Sequence, residues 1–282
     1  MGEPVKVDAP TPPMSNTDMS QLRPGEPPMD WLPGAYTRFA EKLLAPEAYP
    51  CHFGVQGQQR GNNWFAALDP RAPTLHGMDA LVRTLLAFRE QAWSGPKRQS
   101  LVLFVWPPNP LAELAEHHAR FWSLLSDLTA RDPAPWPVTM PRDPDDPSWQ
   151  WCFAGEPWFV FAAAPGHRAR RSRDLGPCLT LVFQTGRVFQ GIEGSTVAGQ
   201  AAKRRIRSQL ESYDTVGPHP ALGCASLSSK YKWRQYALPD DQSIAAGTSC
   251  PFTADSGADD NAAPGTTPLR PVTDTEKEAL HG

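Results

Sequence analysis

The segment spanning residues 149–173, WQWCFAGEPWFVFAAAPGHRARRSR, combines aromatic side chains with one carboxylate, one histidine and four arginines. The carboxylate is Glu156, the histidine is His167, and the arginines directly follow the histidine. Carboxylates are rarely buried without a partner, and clustered guanidinium groups pair bidentately with anions. The segment therefore predicts a pocket with an acidic wall and a basic edge, suited to a cationic substrate beside an anionic cofactor.

His167 directly follows an apolar run, AAAPG, and is itself followed by four arginines: Arg168, Arg170, Arg171 and Arg173. A neutral imidazole at the end of a strand could bind haem iron, while guanidinium groups pair with the haem propionates. The alternative is a solvated basic loop with a hydrogen-bonded histidine, because a run of charges usually faces water. The residues alone leave both interpretations open.

Two further residues could act as axial ligands. Cys51 lies in YPCHFG, and a cysteine thiolate can hold haem iron, although an isolated cysteine is more often a small core residue. His219 lies between two prolines in GPHPALG, a setting rigid enough for a ligand and equally ordinary for a loop. Glu156, in FAGEPW, could accept both N–H groups of a guanidinium or transfer a proton, or it could form an internal salt bridge to a nearby arginine.

Composition and missing motifs exclude several classes of protein. The net charge of −3 argues against nucleic-acid binding, and no apolar run is long enough to cross a membrane. There is no GxGxxG, Walker, HExxH or GxSxG motif and no secretory signal. The five cysteines are scattered and contain no CxxC pair, so a reduced, cytoplasmic protein is expected.

The chain is expected to form one domain between two tails. Residues 1–34 are rich in proline and predict a disordered leader, and residues 241–282 are small and polar and predict a disordered tail. Residues 35–240 have the size of a single domain.

Hydrophobic periodicity predicts the elements of this domain. Helices are expected over residues 36–44, 76–93, 110–131 and 197–213. Strands are expected over residues 63–68, 99–106, 149–153, 158–163 and 178–184, with further strands at 188–192 and at the edge near 231–236. The proline-rich segment 132–147 is expected to be a loop. This order predicts an α+β fold whose mixed, partly antiparallel sheet is packed by helices.

Several long motifs are shared with a known family. They are YPCHFG, FWSLLSDLTARDPAPWP, DPDDPSWQWCFAGEPWFVFAAAPGHRARRSR, ESYDTVGPHPALG and KWRQYAL. In these motifs the chain resembles the YqcI/YcgG-like family over residues 45–238, which is most of the expected domain.

The resemblance implies a haem-dependent N-oxygenase. Members of the family with an assigned activity hydroxylate guanidino nitrogens, among them an arginine N-hydroxylase of D-cycloserine biosynthesis. The implied reaction uses haem b to convert L-arginine, or a related guanidino compound, to its N-omega-hydroxy derivative in antibiotic biosynthesis. An electron donor or peroxide is needed as a partner. A non-catalytic haem-binding or haem-handling protein with the same pocket is the alternative function.

The resemblance also assigns roles to the candidate residues. It makes His167 the proximal iron ligand, with Cys51 and His219 as alternatives, and Glu156 the residue that holds the substrate guanidinium. Two further groups are expected around the cofactor: Arg170, Arg171 and Arg173 as propionate partners, and Trp151, Phe153 and Trp158 as residues that line the haem face or fill the core.

Overall fold

A mixed sheet forms the centre of the protein, seen in a computed structural model that describes residues 11–23, 29–222, 231–244 and 249–252. Its strands are β1 (Asn63–Leu68), β2 (Ser100–Val105), β3 (Cys152–Phe153), β4 (Glu156–Ala163) and β5 (Thr180–Thr185). The strand order is β1-β2-β5-β4-β3, with β1 parallel to β2 and every other pair antiparallel. The mixed, partly antiparallel sheet is therefore confirmed.

Helices cover both faces of this sheet. They are α1 (Asn16–Gln21), α2 (Leu32–Leu44), α3 (His52–Arg60), α4 (Pro73–His76), α5 (Met78–Ser94), α6 (Leu114–Ala130) and α7 (Val197–Tyr213). Short 3-10 turns follow at Arg171–Arg173, Gly186–Phe189, Pro220–Leu222 and Lys232–Gln235. The α+β class is thus also confirmed.

The two faces of the sheet belong to different core clusters. Trp158 and Val160 of β4 pack with Phe88 of α5 and Leu125 of α6, whereas Phe161 packs with the cluster around α2 on the opposite face. Successive side chains of a strand point to opposite faces, which explains this division. All six residues of β2 are buried because both of its faces are covered.

Some predicted elements differ from the structure. Helix α6 begins at Leu114 and not at Pro110, because Glu113 and Glu116 form a capping box at its start and leave Leu111 86% exposed. The predicted strands at 188–192 and 231–236 are replaced by the 3-10 turns Gly186–Phe189 and Lys232–Gln235.

Helix α3 was not predicted because HFGVQGQQR lacks a regular apolar face. Its position matters for the site, since it begins directly after Cys51.

Ordered structure extends beyond the predicted domain limits of 35 and 240. Within the predicted leader, α1 begins with a capping box between Ser15 and Asp18, and Met19 and Leu32 are buried. Beyond residue 240, Phe252 packs its ring against Trp149 with 5.4 Å between centroids. Residues 1–10 and 253–282, to which the predictions of disorder also apply, lie outside the described residues.

The structure also describes the helices and cysteines on which the expectations of a chain without membrane spans and with reduced thiols depend. In the described part of the chain, no helix combines the length and the apolar character needed to span a bilayer. The four described cysteines, Cys51, Cys152, Cys178 and Cys250, are free thiols.

Candidate functional site

A cavity of about 260 Å³ lies between the sheet and α7, and the start of α3 forms one of its walls. Phe159 and Phe161 of β4 face it from the sheet, because they alternate with the core residues Trp158 and Val160. The face of α7 that lines it carries Gly199, Ala202, Lys203, Ile206 and Leu210, which recur at helical spacing. The cavity is therefore apolar over most of its surface.

Cys51 brings a thiol into this apolar cavity. It is the N-cap residue of α3, where the backbone N–H groups of Phe53 and Gly54 favour its thiolate form. Burial raises the pKa of the Cys51 thiol, while these N–H groups and the positive charge of Arg173 act in the opposite direction. A helix N-terminus also stabilises a thiolate. The net shift is upward, so the thiol is protonated unless a bound group removes its proton, as a metal does to a coordinated thiol.

Arg173 brings a guanidinium to the same cavity. It lies over the Phe161 ring at 4.5 Å from the centroid and donates to the carbonyl oxygens of Ala162, at 3.1 Å, and Gln235, at 3.4 Å. Burial lowers the pKa of Arg173 to about 10, so the group remains charged at neutral pH. Among the described residues, no carboxylate forms an ion pair with it. A partly buried cation in this situation is expected to bind an anion.

The other two arginines proposed as propionate partners already have ligands within the protein. Arg170 is buried and lines the cavity, but its guanidinium donates to three carbonyl oxygens: those of Pro239, Gly217 and Asp241. Arg171 lies outside the cavity lining and forms a salt bridge with Glu47 at 2.7 Å. Of the three arginines, Arg173 and Arg170 therefore line the cavity and Arg171 does not, while the role of propionate partner stays a prediction.

The anions that balance the basic loop come from distant parts of the chain. The carboxylate of Asp240 accepts the backbone N–H groups of Arg168, Ala169 and Arg170, at distances of 2.8 to 3.1 Å. Asp214 accepts the N–H and the hydroxyl of Ser172, each at 2.7 Å. The basic loop is therefore mostly a structural element.

His167 does not reach the cavity. It is 4% exposed, its Nδ1 lies 3.1 Å from the carbonyl oxygen of Ala164, and its Nε2 lies 3.0 Å from that of Leu238. Both nitrogens thus lie within hydrogen-bonding distance of carbonyl oxygens, and the residue does not line the cavity. The arrangement corresponds to the hydrogen-bonded histidine of the alternative interpretation, and iron binding by His167 stays a prediction.

His219 is also occupied by backbone groups. Its Nδ1 accepts the N–H of Ala221 at 3.1 Å, and its Nε2 donates to the carbonyl oxygen of Ser243 at 3.0 Å. Burial lowers its pKa, which agrees with a neutral ring. It does not line the cavity that contains Cys51.

Glu156 lies on the opposite face of the sheet from the cavity. It accepts the Nε–H of Arg89 at 3.1 Å and the indole N–H of Trp93 at 2.9 Å, both from α5. This is an internal salt bridge, the alternative left open by the sequence, but its arginine comes from α5 and not from the basic loop. Because Glu156 faces away from the cavity, its position gives no support to the expected role in holding the substrate.

Trp151, Phe153 and Trp158 belong to the core. Each is 0% exposed in the cluster between the sheet and the helices α5 and α6. The indole N–H groups of Trp151 and Trp158 donate to Thr129 and to the carbonyl of Phe153. They fill the core and do not line the cavity, which agrees with the second of the two roles predicted for them.

The sequence reasoning missed two contributors to the cavity, Tyr49 and Lys203. Tyr49 donates its hydroxyl to the carbonyl of Ser172 at 2.7 Å and so joins the start of α3 to the basic loop. The basic helix that carries Lys203 was predicted, and its apolar spacing could have indicated which of its faces is covered.

Comparison with known proteins places this architecture in a family. The profile of the YqcI/YcgG family matches residues 39–253. The chain is 40% identical to the uncharacterized protein YcgG of Bacillus subtilis (strain 168) over 229 residues, covering 79% of this chain and 88% of that protein. It is 32% identical to the uncharacterized protein YqcI of the same strain over 243 residues, covering 84% and 93%.

A third relative carries a functional name. The chain is 34% identical over 239 residues to the "Putative N(omega)-hydroxy-L-arginine synthase DcsA" of Streptomyces lavendulae, covering 83% of this chain and 89% of that protein. No solved structure matches the chain.

Proposed function

This chain belongs to the YqcI/YcgG family, and we propose that it is a haem-dependent N-oxygenase acting on a guanidino nitrogen of L-arginine or of a related compound. The observation that carries the proposal is the cavity shared by the Cys51 thiol and the guanidinium of Arg173. The name of the Streptomyces lavendulae relative supports the choice of substrate.

The residues of the cavity fit a haem in three respects. The apolar walls, with Phe159 and Phe161, match a large flat apolar ring. The described lining contains no Asp or Glu but does contain Arg173 and Lys203, which suits a cofactor that carries two propionates. Cys51 would hold the iron through its thiolate, a type of ligand that haem proteins use.

Cys51 would be the proximal ligand, in place of His167. Its position at the first turn of α3 fixes the sulfur, and the N–H groups of Phe53 and Gly54 stabilise its negative charge. Hydrogen bonds and burial around a thiolate ligand tune the cofactor that it holds. Bound haem supplies the activation of oxygen, which thiolate ligation favours.

Arg173 would balance the negative charge that the thiolate and the cofactor bring into the cavity. Its contacts with the carbonyls of Ala162 and Gln235 hold the guanidinium in place before any ligand binds. An anion beside it would relieve the cost of a buried charge without a carboxylate partner.

The proposed reaction replaces one guanidino N–H bond by N–OH. With dioxygen, one oxygen atom enters the product and the other leaves as water, which requires two electrons and two protons from a reduced donor. With hydrogen peroxide, the peroxide supplies the oxygen atom and one water is formed. The chain's own contribution is to orient the substrate in a cavity with apolar walls, since the oxidising power belongs to the cofactor.

The test is reconstitution followed by turnover. Purified protein is loaded with haem, supplied with L-arginine and either peroxide or dioxygen with a chemical reductant, and analysed by mass spectrometry for N-omega-hydroxy-L-arginine. We expect product from the loaded parent protein and none from Cys51→Ser. Haem uptake without product from any guanidino compound would favour a haem-handling protein, and failure to take up haem would contradict the proposal.

A further inference from the structure

Two lysines from different elements meet at the phenylalanine wall of the cavity. Lys203 lies on α7 and lines the cavity directly. Lys232 begins the 3-10 turn Lys232–Gln235, and its Nζ lies 6.0 Å from the ring centroid of Phe159 and 5.8 Å from that of Phe189. Both rings line the cavity, so the ammonium group of Lys232 lies against the aromatic wall of the space that Lys203 lines.

Among the residues that the structure describes, no carboxylate forms an ion pair with either lysine. Burial lowers the pKa of Lys232, and the positive charge of Lys203 lowers it further. The two aromatic rings compensate only in part, since a cation–π contact contributes about 0.5–1 kcal/mol at an exposed site. Two neighbouring ammonium groups at an apolar wall are most readily explained by an anion that binds between them.

We propose that Lys203 and Lys232 form a carboxylate-binding pair of this cavity. The inference rests on the proposed function, whose two anionic components are both carboxylates: the haem propionates and the α-carboxylate of an amino-acid substrate. A lysine ammonium binds such a group as a compact charge and leaves the other side of the carboxylate free. Arg173 is a separate cation that contacts Phe161, whereas the lysine pair is associated with Phe159 and Phe189.

The two carboxylates predict different consequences. If the pair binds the α-carboxylate, it selects free guanidino amino acids and rejects agmatine, which has the same guanidino group and no carboxylate. If it binds a propionate, it retains the cofactor and does not distinguish arginine from agmatine.

The experiment compares Lys203→Met, Lys232→Met and the double variant with the parent protein. Methionine keeps an unbranched apolar stem and removes the charge, Lys203→Arg keeps the charge, and Lys42→Met removes a lysine on α2 outside this cavity as a matched control. All variants are loaded with haem. The affinities for L-arginine and agmatine are read from the change in the Soret band, and haem retention is read from its rate of transfer to apomyoglobin.

We expect each methionine variant to lose about tenfold or more in arginine affinity or in haem retention. A loss of this size is usual when a charge-assisted hydrogen bond is removed. Loss of arginine affinity with agmatine unchanged identifies the substrate carboxylate, and faster haem transfer identifies a propionate. Lys203→Arg and Lys42→Met should resemble the parent protein.

The inference is overturned if all variants keep the parent's haem retention and its preference between arginine and agmatine. It is also overturned if arginine and agmatine lose affinity equally while haem retention is unchanged. A parent protein that takes up no haem contradicts the proposed function itself, so the two failures are distinguishable.

Discussion

Glu156 binds the guanidinium of Arg89, with Oε1 and Nε 3.1 Å apart, on the face of the sheet that points away from the cavity. The indole N–H of Trp93 donates to the same carboxylate at 2.9 Å. The guanidinium clamp expected from the sequence is therefore present in the structure, but the guanidinium that it holds belongs to the protein.

Glu156→Gln should leave haem uptake and arginine turnover within about twofold of the parent values. Because the salt bridge is partly exposed, its loss should cost about 1 kcal/mol of unfolding free energy. Spectra, steady-state kinetics and urea unfolding measure the three quantities. Abolished turnover with an unchanged haem spectrum would restore the catalytic role that the sequence suggested for Glu156.

His167→Phe should destabilise the protein without changing the haem spectrum. The substitution removes the hydrogen bond that the ring N–H donates to a buried carbonyl oxygen, that of Ala164 or that of Leu238, at a cost of about 1–3 kcal/mol. Urea unfolding and the absorption spectrum of the same sample provide the measurements. If His167→Phe unfolds normally but no longer shows the parent Soret band, His167 is a ligand after all.

Elements with local signals could be predicted from the sequence, whereas the partners of charged groups could not. The strand Asn63–Leu68 and the helix Val197–Tyr213 have the predicted bounds, because continuous apolar runs and helical spacing are local signals. The partners of charged groups are not local. Arg89 lies 67 positions from Glu156, and Asp240 lies about 70 positions from the backbone N–H groups that it accepts.

The choice between the candidate ligands also depends on packing. Cys51 and His167 were both recognised as candidates, but only packing shows which of them faces a cavity. Cys51 also starts a helix that has no regular apolar face, so its favourable position at a helix N-terminus could not be read from the sequence.

Arg173→Met should move the pH dependence of haem binding to higher pH. The positive charge of Arg173 lowers the pKa of the Cys51 thiol, so its removal raises that pKa further. Iron binds the thiolate, and affinity therefore falls as pH drops below the thiol pKa. Haem titrations of apo-protein from about pH 6 to about pH 10 should show weaker binding by the variant at neutral pH. The difference from the parent should be smaller at high pH. Coincident pH profiles would show that Arg173 does not act on Cys51.

His118→Gln should reduce the loss of stability in mild acid. Burial, followed by the charge of His167, lowers the pKa of His118 from 6.5 to about 4. The unfolded chain therefore takes up this proton below about pH 6.5, whereas the folded chain does so only near pH 4. Stability should fall as the pH drops through this window, by about 3 kcal/mol for this group.

Urea unfolding of the parent and of His118→Gln at about pH 7 and about pH 5 tests this predicted loss of stability. The parent should lose more stability between the two values than the variant does. An equal loss in both proteins would show that His118 does not carry the acid sensitivity.

The spectrum of the reduced, CO-bound protein tests directly whether Cys51 holds haem iron. We expect a Soret band shifted strongly to the red, as thiolate ligation produces, in the parent and in Cys178→Ala, whose thiol is buried outside the cavity. Cys51→Ser should lose that band. A band at the position typical of imidazole-ligated haem in the parent protein, or a red-shifted band that survives in Cys51→Ser, would contradict iron binding by Cys51.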